Sequence, residues 1–504
     1  MIKKEDSSKK DKLSKLDFLI ILILFFIIID IHSFGFFGRT TFPQDSAIIF
    51  EGSQRISEGQ IPYKDFTIVM GPVVFLMQSF FNLFFGTTFF SMFTHSLFLS
   101  LVICFIFYYS AIKEFNIFIS LIFSIFFYIS FQGLAFHPFY NHTTYFFLFL
   151  NIFLLLVYIN KELPTYVFIL SSILASLTFY TKQDIGSLHI LLIFCYFIFN
   201  YKKQWKYIIL YLVTIAFLVG GIYLLLAKTT DFEYWFNLGQ YPHNSRLSNL
   251  LNPIKILEIL SSWEFYISLI FLFLILFKKN NKHKSIMSLF LVISISSIIN
   301  KALTGVTRQV SVITTIILIF FIFLIIKEEF NRLYKNNKIL TSLILILILL
   351  LAVNPLPTYG LIVYNYFSNS ISHIDEGCYK GAPILKEDLE GLNEIKRIIE
   401  SNNKSFISIT HYSFLYCDYE IEPPENLPAW FDEGNSFYKL NLPSIINAII
   451  RYNPKIILVQ ESHNNEDPNF NEKLINIFIS KGYKIEKVIE QKATQKPITI
   501  LIKN

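Results

Sequence analysis

Charge is scarce in this sequence. Only 16% of the 504 residues are Asp, Glu, Lys or Arg while 53% are hydrophobic, far from the balance of a soluble domain. That excludes a soluble globular enzyme and puts most of the chain in a bilayer. Cysteine is scarcer still, with four in all. Cys104 and Cys195 fall in apolar runs, Cys378 and Cys417 in a polar region, and no spacing suits zinc or a redox pair. A cleavage site is missing too. The basic start MIKKEDSSKKDKLSKL leads into an apolar run from Phe18 that meets Asp30 and His32 without small residues, which reads as a retained first span. No period of 20 to 50 residues suggests a repeat array. The formal charge of +6 says little, because its side matters more than its total, and no nucleic-acid partner is expected.

Apolar runs dominate what is there, and Phe alone numbers 56. Runs fit to cross roughly 30 Å of hydrocarbon recur near 17–34, 88–111, 116–135, 142–160, 164–181, 185–200, 207–227, 258–277, 285–300, 309–326 and 339–354. The fold class expected is therefore a polytopic α-helical membrane protein of about eleven spans. Lysine and arginine in short loops collect on the cytoplasmic side. Lys3 to Lys15, Lys113, Lys161, KKQWK at Lys202, KKNNKHK at Lys278 and Lys327 to Lys338 are then inside, and the N-terminus with them. Crossing at Val73–Phe85 would put every later basic cluster outside. That segment is instead expected to lie along the outer surface, opened by Gly71 and Pro72 and closed by Gly86.

From Pro355 the composition becomes that of a soluble domain. KEDLEGLNEIKRII carries Leu389, Leu392, Ile395 and Ile399 on one helical face, and SFISIT, KIILVQ, YKIEKVIE and ITILIKN read as strands. The expected domains are 1–354 in the membrane, with an outer loop 35–87, and 355–504 as an extracytoplasmic α/β domain. The segment between the last span and Lys386, with DEGCYKGAP, reads as the linker. Cys378 and Cys417, the two thiols placed outside, are expected to pair in an oxidising compartment.

With this topology the unusual polar residues of the membrane half fall on one face: Asp45, Glu51, Arg55, Asp65, His137, His142, Lys182, Asp184, His243, Arg246, Lys301 and Arg308. Lys182 and Asp184 interrupt an apolar stretch, and ionisable groups so near hydrocarbon usually face a cavity or a partner. A sugar transferred on the outer face must arrive on a carrier held in the bilayer, such as a polyprenyl phosphate. Its transferase needs cations for the departing phosphate and one carboxylate for the acceptor proton.

The first span, then QDSAIIFEGSQRISEGQIPYKDF, then GP leading a surface helix that ends in FFG, resembles the first outer loop of GT-C fold glycosyltransferases. That group includes protein O-mannosyltransferases, the lipid A aminoarabinose transferase and RgtA/B/C/D-like enzymes. The resemblance implies Asp45 as the catalytic carboxylate, although Ser46 follows where the family often has a second acid, and it matches Asp65 to a second acidic position approximately. The TK of LTFYTKQDIG is similar to a segment whose lysine lies near the carrier phosphate, implying that role for Lys182. Asn141 and His142 stand where the family commonly shows an Asp.

Taken together, the expected function is transfer of a sugar from a polyprenyl-phosphate donor to a lipid, glycan or protein acceptor, by inverting single displacement at the extracytoplasmic face of the cytoplasmic membrane. Asp45 and Asp65 are the catalytic candidates. Lys182, Arg308, Lys301 and Arg246 are the candidates for donor phosphate, and Glu51, Arg55, His137, Asn141, His142, Asp184 and His243 for substrate. No cofactor is expected, two histidines without a neighbouring carboxylate being a poor metal set; a divalent metal is the alternative. A transporter or flippase is the other reading, though such proteins tend to show broken helices and internal repeats.

Overall fold

A computed structural model describes residues 15–38, 44–132, 136–159, 162–236, 252–277, 281–304, 307–352, 370–429, 431, 436–437, 440–460, 470–492 and 496–503. The chain is a polytopic helical membrane protein followed by a small α/β unit. Hydrocarbon offers the backbone no hydrogen-bond partner, so even Phe- and Ile-rich runs of poor helix propensity coil to close their bonds internally. The helices used below are α1 (Lys15–Phe37), α2 (Gln44–Ser57), α3 (Val73–Phe85), α4 (Phe89–Ile112), α5 (Ile117–Gln132), α6 (Tyr140–Val157), α7 (Thr165–Thr181), α8 (Gln183–Tyr201), α9 (Trp205–Ile215), α10 (Ile222–Thr229) and α11 (Phe232–Trp235).

Five described stretches are long and apolar enough to cross a membrane: Phe18–Phe37, Phe89–Ile112, Tyr140–Val157, Gln183–Thr229 and His283–Leu303. The fourth is 47 residues long. It reverses at the 3-10 turn Lys202–Gln204, since the Tyr211 hydroxyl donates to Ile190 O at 3.1 Å, and so makes two crossings. Six apolar helices are shorter, among them Val73–Phe85. Without that one, the four single stretches, the two arms of Gln183–Thr229 and the five remaining short helices agree with the roughly eleven crossings expected. Aromatic packing fills the middle of the bundle. Phe107 of α4 meets Phe127 of α5, Phe153 of α6 and Phe320 of helix Thr307–Ile325 at centroid distances of 4.5, 5.4 and 4.8 Å.

The bundle has two unlike ends. At one, Lys327 pairs with Glu114 at 2.7 Å, Gln204 bonds both main-chain groups of Leu163, and Ser285 bonds Asn200. These contacts gather the basic loops. At the other end lie α2, α3 and the C-terminal unit.

Helix α3 is 13 residues and so roughly 20 Å long, and its sides rather than its length set it apart from the other short apolar helices. Its polarity is inverted relative to a soluble surface helix: Gln78, Ser79 and Asn82 are buried while Leu76, Phe80, Leu83 and Phe84 are exposed. Gln78 donates to Asn82 and Ser91, and Asn82 donates to Ser53. Its polar stripe is thus satisfied by α2 and α4, leaving the apolar stripe to lipid. Gly86, with φ 70°, ends the helix in a conformation that favours glycine.

In the C-terminal unit the strands are β1 (Ile371–His373), β2 (Pro383–Leu385), β3 (Phe406–Ile409), β4 (Ile456–Gln460), β5 (Tyr483–Ile489) and β6 (Ile498–Lys503). The order β3-β4-β6-β5 has β3 and β4 parallel and the other pairs antiparallel. The four strand-like runs of the sequence are these four strands. Leu392, Ile395 and Ile399 of helix Lys386–Ser401 pack on one face and Ile445, Ile446 and Ile449 of helix Leu442–Tyr452 on the other.

The segment before Lys386 is not merely a linker. β1 and β2 pair as a hairpin, and Cys378, between them, is disulfide-bonded to Cys417. Asp418 fixes the same loop, accepting from the Cys378 backbone N–H at 2.7 Å and from Lys396 at 2.9 Å.

Candidate active site

The site builds up from a break between two spans. Helix α7 ends at Thr181 and α8 restarts at Gln183, and the residue between them, Lys182, is extended (φ −153°, ψ 109°). The break turns a lysine inward at the end of the bundle that carries α2 and α3. Lys182 is buried, with 6% of its surface exposed. Its Nζ donates to Asn141 Oδ1 at 2.9 Å and Asn300 Oδ1 at 3.0 Å, and sits 5.5 Å from the Tyr140 ring centroid. Asn300 in turn donates to the Tyr145 hydroxyl at 3.0 Å. Amide oxygens and an aromatic face suit an ammonium and fix its direction. Asp184, in the first turn of α8, accepts from the Ile185 N–H at 2.8 Å, as suits an acid at a helix N-terminus.

The outer loop sits directly on this break. Gly71 N–H donates to Thr181 O at 3.2 Å, and a Cβ on Gly71 would lie 1.9 Å from Tyr180 O. Only glycine allows that approach, which is why GP precedes α3. Tyr63 closes the loop, donating to Met70 O at 2.6 Å, and its own carbonyl accepts from the Asp231 N–H at 3.0 Å, ahead of α11.

Asp45 lies in the first turn of α2; its backbone is described and its side chain is not. Farther along α2, Arg55 donates twice to Glu51 Oε1, from Nε at 3.0 Å and Nη2 at 2.7 Å, with 1% and 4% of the two residues exposed. Burial pushes the Glu51 carboxyl above the usual range, and the Arg55 guanidinium offsets only part of that rise. Asp65 is a turn former: its Oδ2 accepts from Ile61 N–H at 2.7 Å and its carbonyl from Asn426 N–H at 2.6 Å.

His137 and His142 are buried beside the start of α6, where His142 meets Phe131 edge-on at 5.6 Å and His137 meets Phe139 at 6.1 Å. Lys301, in the last turn of helix Asn281–Thr304, is ion-paired with Glu264. Arg308 lies in helix Thr307–Ile325 with its side chain outside the described residues, and Arg246 and His243 lie wholly outside them. Among the described residues no three His, Cys, Asp or Glu side chains gather as a metal set.

No family model and no curated protein matches the sequence. Solved structures match by shape. ArnT from Cupriavidus metallidurans bound to undecaprenyl phosphate aligns over 97% of this chain and 98% of its own, with a TM-score of 0.50 and 8% identity. Its apo state aligns over 95% and 97%, at 0.50 and 9%. The apo oligosaccharyltransferase of Archaeoglobus fulgidus aligns over 89% of this chain and 70% of its own, at 0.50 and 12%. The fold is GT-C.

On this GT-C frame the structure brings Lys182 and Asn141 into direct contact and keeps Glu51 with Arg55, Lys301 with Glu264, and Asp65 at the junction with the C-terminal unit. Sequence reasoning missed Asn300, Tyr145 and Glu264. Glu264 had a signal, an acid at the head of the apolar run WEFYISLIFLF; Asn300 and Tyr145 had none beyond their place at span ends. The spacing EGSQR also foretells the Glu51–Arg55 pair, four residues apart on one helical face.

Proposed function

We propose that this chain is a membrane glycosyltransferase that moves a sugar from a polyprenyl-phosphate donor to an acceptor hydroxyl. The buried Lys182, held by Asn141 and Asn300 against the seat of the outer loop, carries the reading. Carrier phosphate entering from the lipid meets an ammonium already oriented, so little reorganisation is needed as charge develops on the leaving oxygen. Arg308, Arg246 and Lys301, the last released from Glu264, are the further candidates for the phosphate, and His137, His142, Asp184 and His243 those for the sugar or acceptor. In the reaction the acceptor oxygen bonds the anomeric carbon as the bond to the phosphate oxygen breaks. The electron pair leaves with the phosphate, and the hydroxyl proton passes to the Asp45 carboxylate. Attack opposite the phosphate inverts the configuration.

The basic end of the bundle faces the cytoplasm in this reading, which puts the site and residues 355–504 outside, with 1–354 as the membrane catalytic unit. The fold shared with an enzyme crystallised on undecaprenyl phosphate favours a lipid-linked donor. The test is incubation of purified protein in lipid with a panel of polyprenyl-phosphate sugars. Release of polyprenyl phosphate with sugar appearing on an acceptor is expected. Movement of the intact lipid across the bilayer without release would identify a flippase instead.

A further inference from the structure

The C-terminal unit grips one face of the helix that bears Asp45. Ala47, Phe50, Glu51 and Arg55 follow the three- and four-residue spacing of a single helical stripe, and each touches that unit or anchors a residue that does. Ser413 Oγ donates to Ala47 O at 3.4 Å. The Phe50 ring meets Tyr379 edge-on at 4.6 Å, and Tyr379 stacks on Phe414 at 4.4 Å. Arg55 Nη1 donates to Pro424 O at 2.9 Å and to Gln60 Oε1 at 3.1 Å, while Gln60 Nε2 donates to Pro423 O at 2.8 Å. Beside these, main-chain bonds join Thr67 to Leu427 and Ala429. The opposite stripe of α2 is held as tightly, for a Cβ on Gly52 would lie 2.5 Å from the Phe75 ring of α3.

A buried ion pair is an expensive way to build a stable contact, since apolar residues of equal volume often serve as well or better. The Arg55 fork offers something an apolar pair cannot: one rigid group tied to its own helix through Glu51 and to the C-terminal unit through Pro424. We propose that Arg55 and Ser413 are positioning residues through which the C-terminal unit fixes α2, and with it the Asp45 carboxylate, for the transfer step. This rests on the reading of Asp45 as the base. Ten residues separate Arg55 from Asp45, roughly 15 Å along the helix, a distance one rigid helix transmits. The C-terminal unit is then part of the catalytic apparatus rather than an appendage.

The test uses the full chain in lipid with three variants, Arg55→Met, the double variant Glu51→Met with Arg55→Met, and Ser413→Ala, and three readouts: donor Kd, kcat, and hydrogen exchange of the α2 amides. The double variant leaves no unpaired buried charge, so it separates loss of positioning from loss of folding. Faster exchange confined to α2 and a kcat lowered about 10²-fold, as for an ångström-scale misplacement, are expected with donor Kd within about threefold. Arg55→Lys, which keeps the charge but not the fork, should recover kcat only in part. An Asp45→Asn control should lose kcat with α2 exchange unchanged. Unchanged α2 exchange in the double variant, or faster exchange with kcat within about threefold of the parent, would overturn the proposal. Should the parent itself release no polyprenyl phosphate from any donor, the glycosyltransferase reading falls, and the exchange comparison alone still decides whether Arg55 and Ser413 hold α2.

Discussion

Lys182 is where a single side chain carries the most argument. Its ammonium is bound by two amide oxygens from α6 and helix Asn281–Thr304, so replacing it removes a charge while leaving acceptors that can turn to each other's amide groups. Lys182→Met should fold and should weaken binding of a polyprenyl-phosphate donor by roughly 10- to 100-fold, the range of a charge-assisted hydrogen bond of about 1.5–3 kcal/mol. Donor titration by quenching or calorimetry checks it, and unchanged affinity would return Lys182 to a purely structural role. Lys182 was legible because TKQD puts charges where apolar sequence surrounds them. Its partners were not, since Asn300 and Tyr145 look like ordinary span-end residues until the helices are assembled.

At the scale of elements, α3 shows what periodicity can and cannot say. Its length and its bounding glycines were readable, whereas the direction of its polar stripe was not: a moment has no sign until the solvent on each side is known. The hairpin β1–β2 escaped for a different reason. Two strands of three residues carry no alternation long enough to detect, and what holds them is the Cys378–Cys417 bond, Asp418 and the burial of Ile374, Tyr379, Ala382 and Ile384 in a core shared with helix Lys386–Ser401. The disulfide also lies at the seam, with the Cys378 carbonyl accepting from Phe89 N–H at 2.7 Å, at the start of α4. Cys378→Ser with Cys417→Ser should therefore lower stability by about 2–4 kcal/mol, read as an earlier thermal transition in detergent. A transition unmoved by the change would mean that the hairpin is held by other contacts.

For the whole molecule, the apolar runs made a polytopic helical bundle legible because span order is a local record, and the resemblance of the first outer loop pointed to the GT-C fold that the solved structures share. What the sequence could not show is the docking of the C-terminal unit on α2, a contact between residues some 370 positions apart, such as Arg55 and Pro424. The orientation itself is testable. Lys503→Cys should react with an impermeant thiol reagent from outside intact cells and Lys335→Cys should not; the reverse pattern would invert the topology and move the site to the cytoplasmic face.

The central claim is that Asp45 takes the acceptor proton during sugar transfer, and single-turnover transfer by Asp45→Asn, with donor binding measured in parallel, bears on it most directly. Asn keeps the shape and removes the base. General base catalysis contributes roughly 10² to 10⁴ in rate, so the variant should bind donor as the parent does while transfer falls by about that range. Transfer within about threefold of the parent, or a variant that keeps its rate and loses stability instead, would contradict the account.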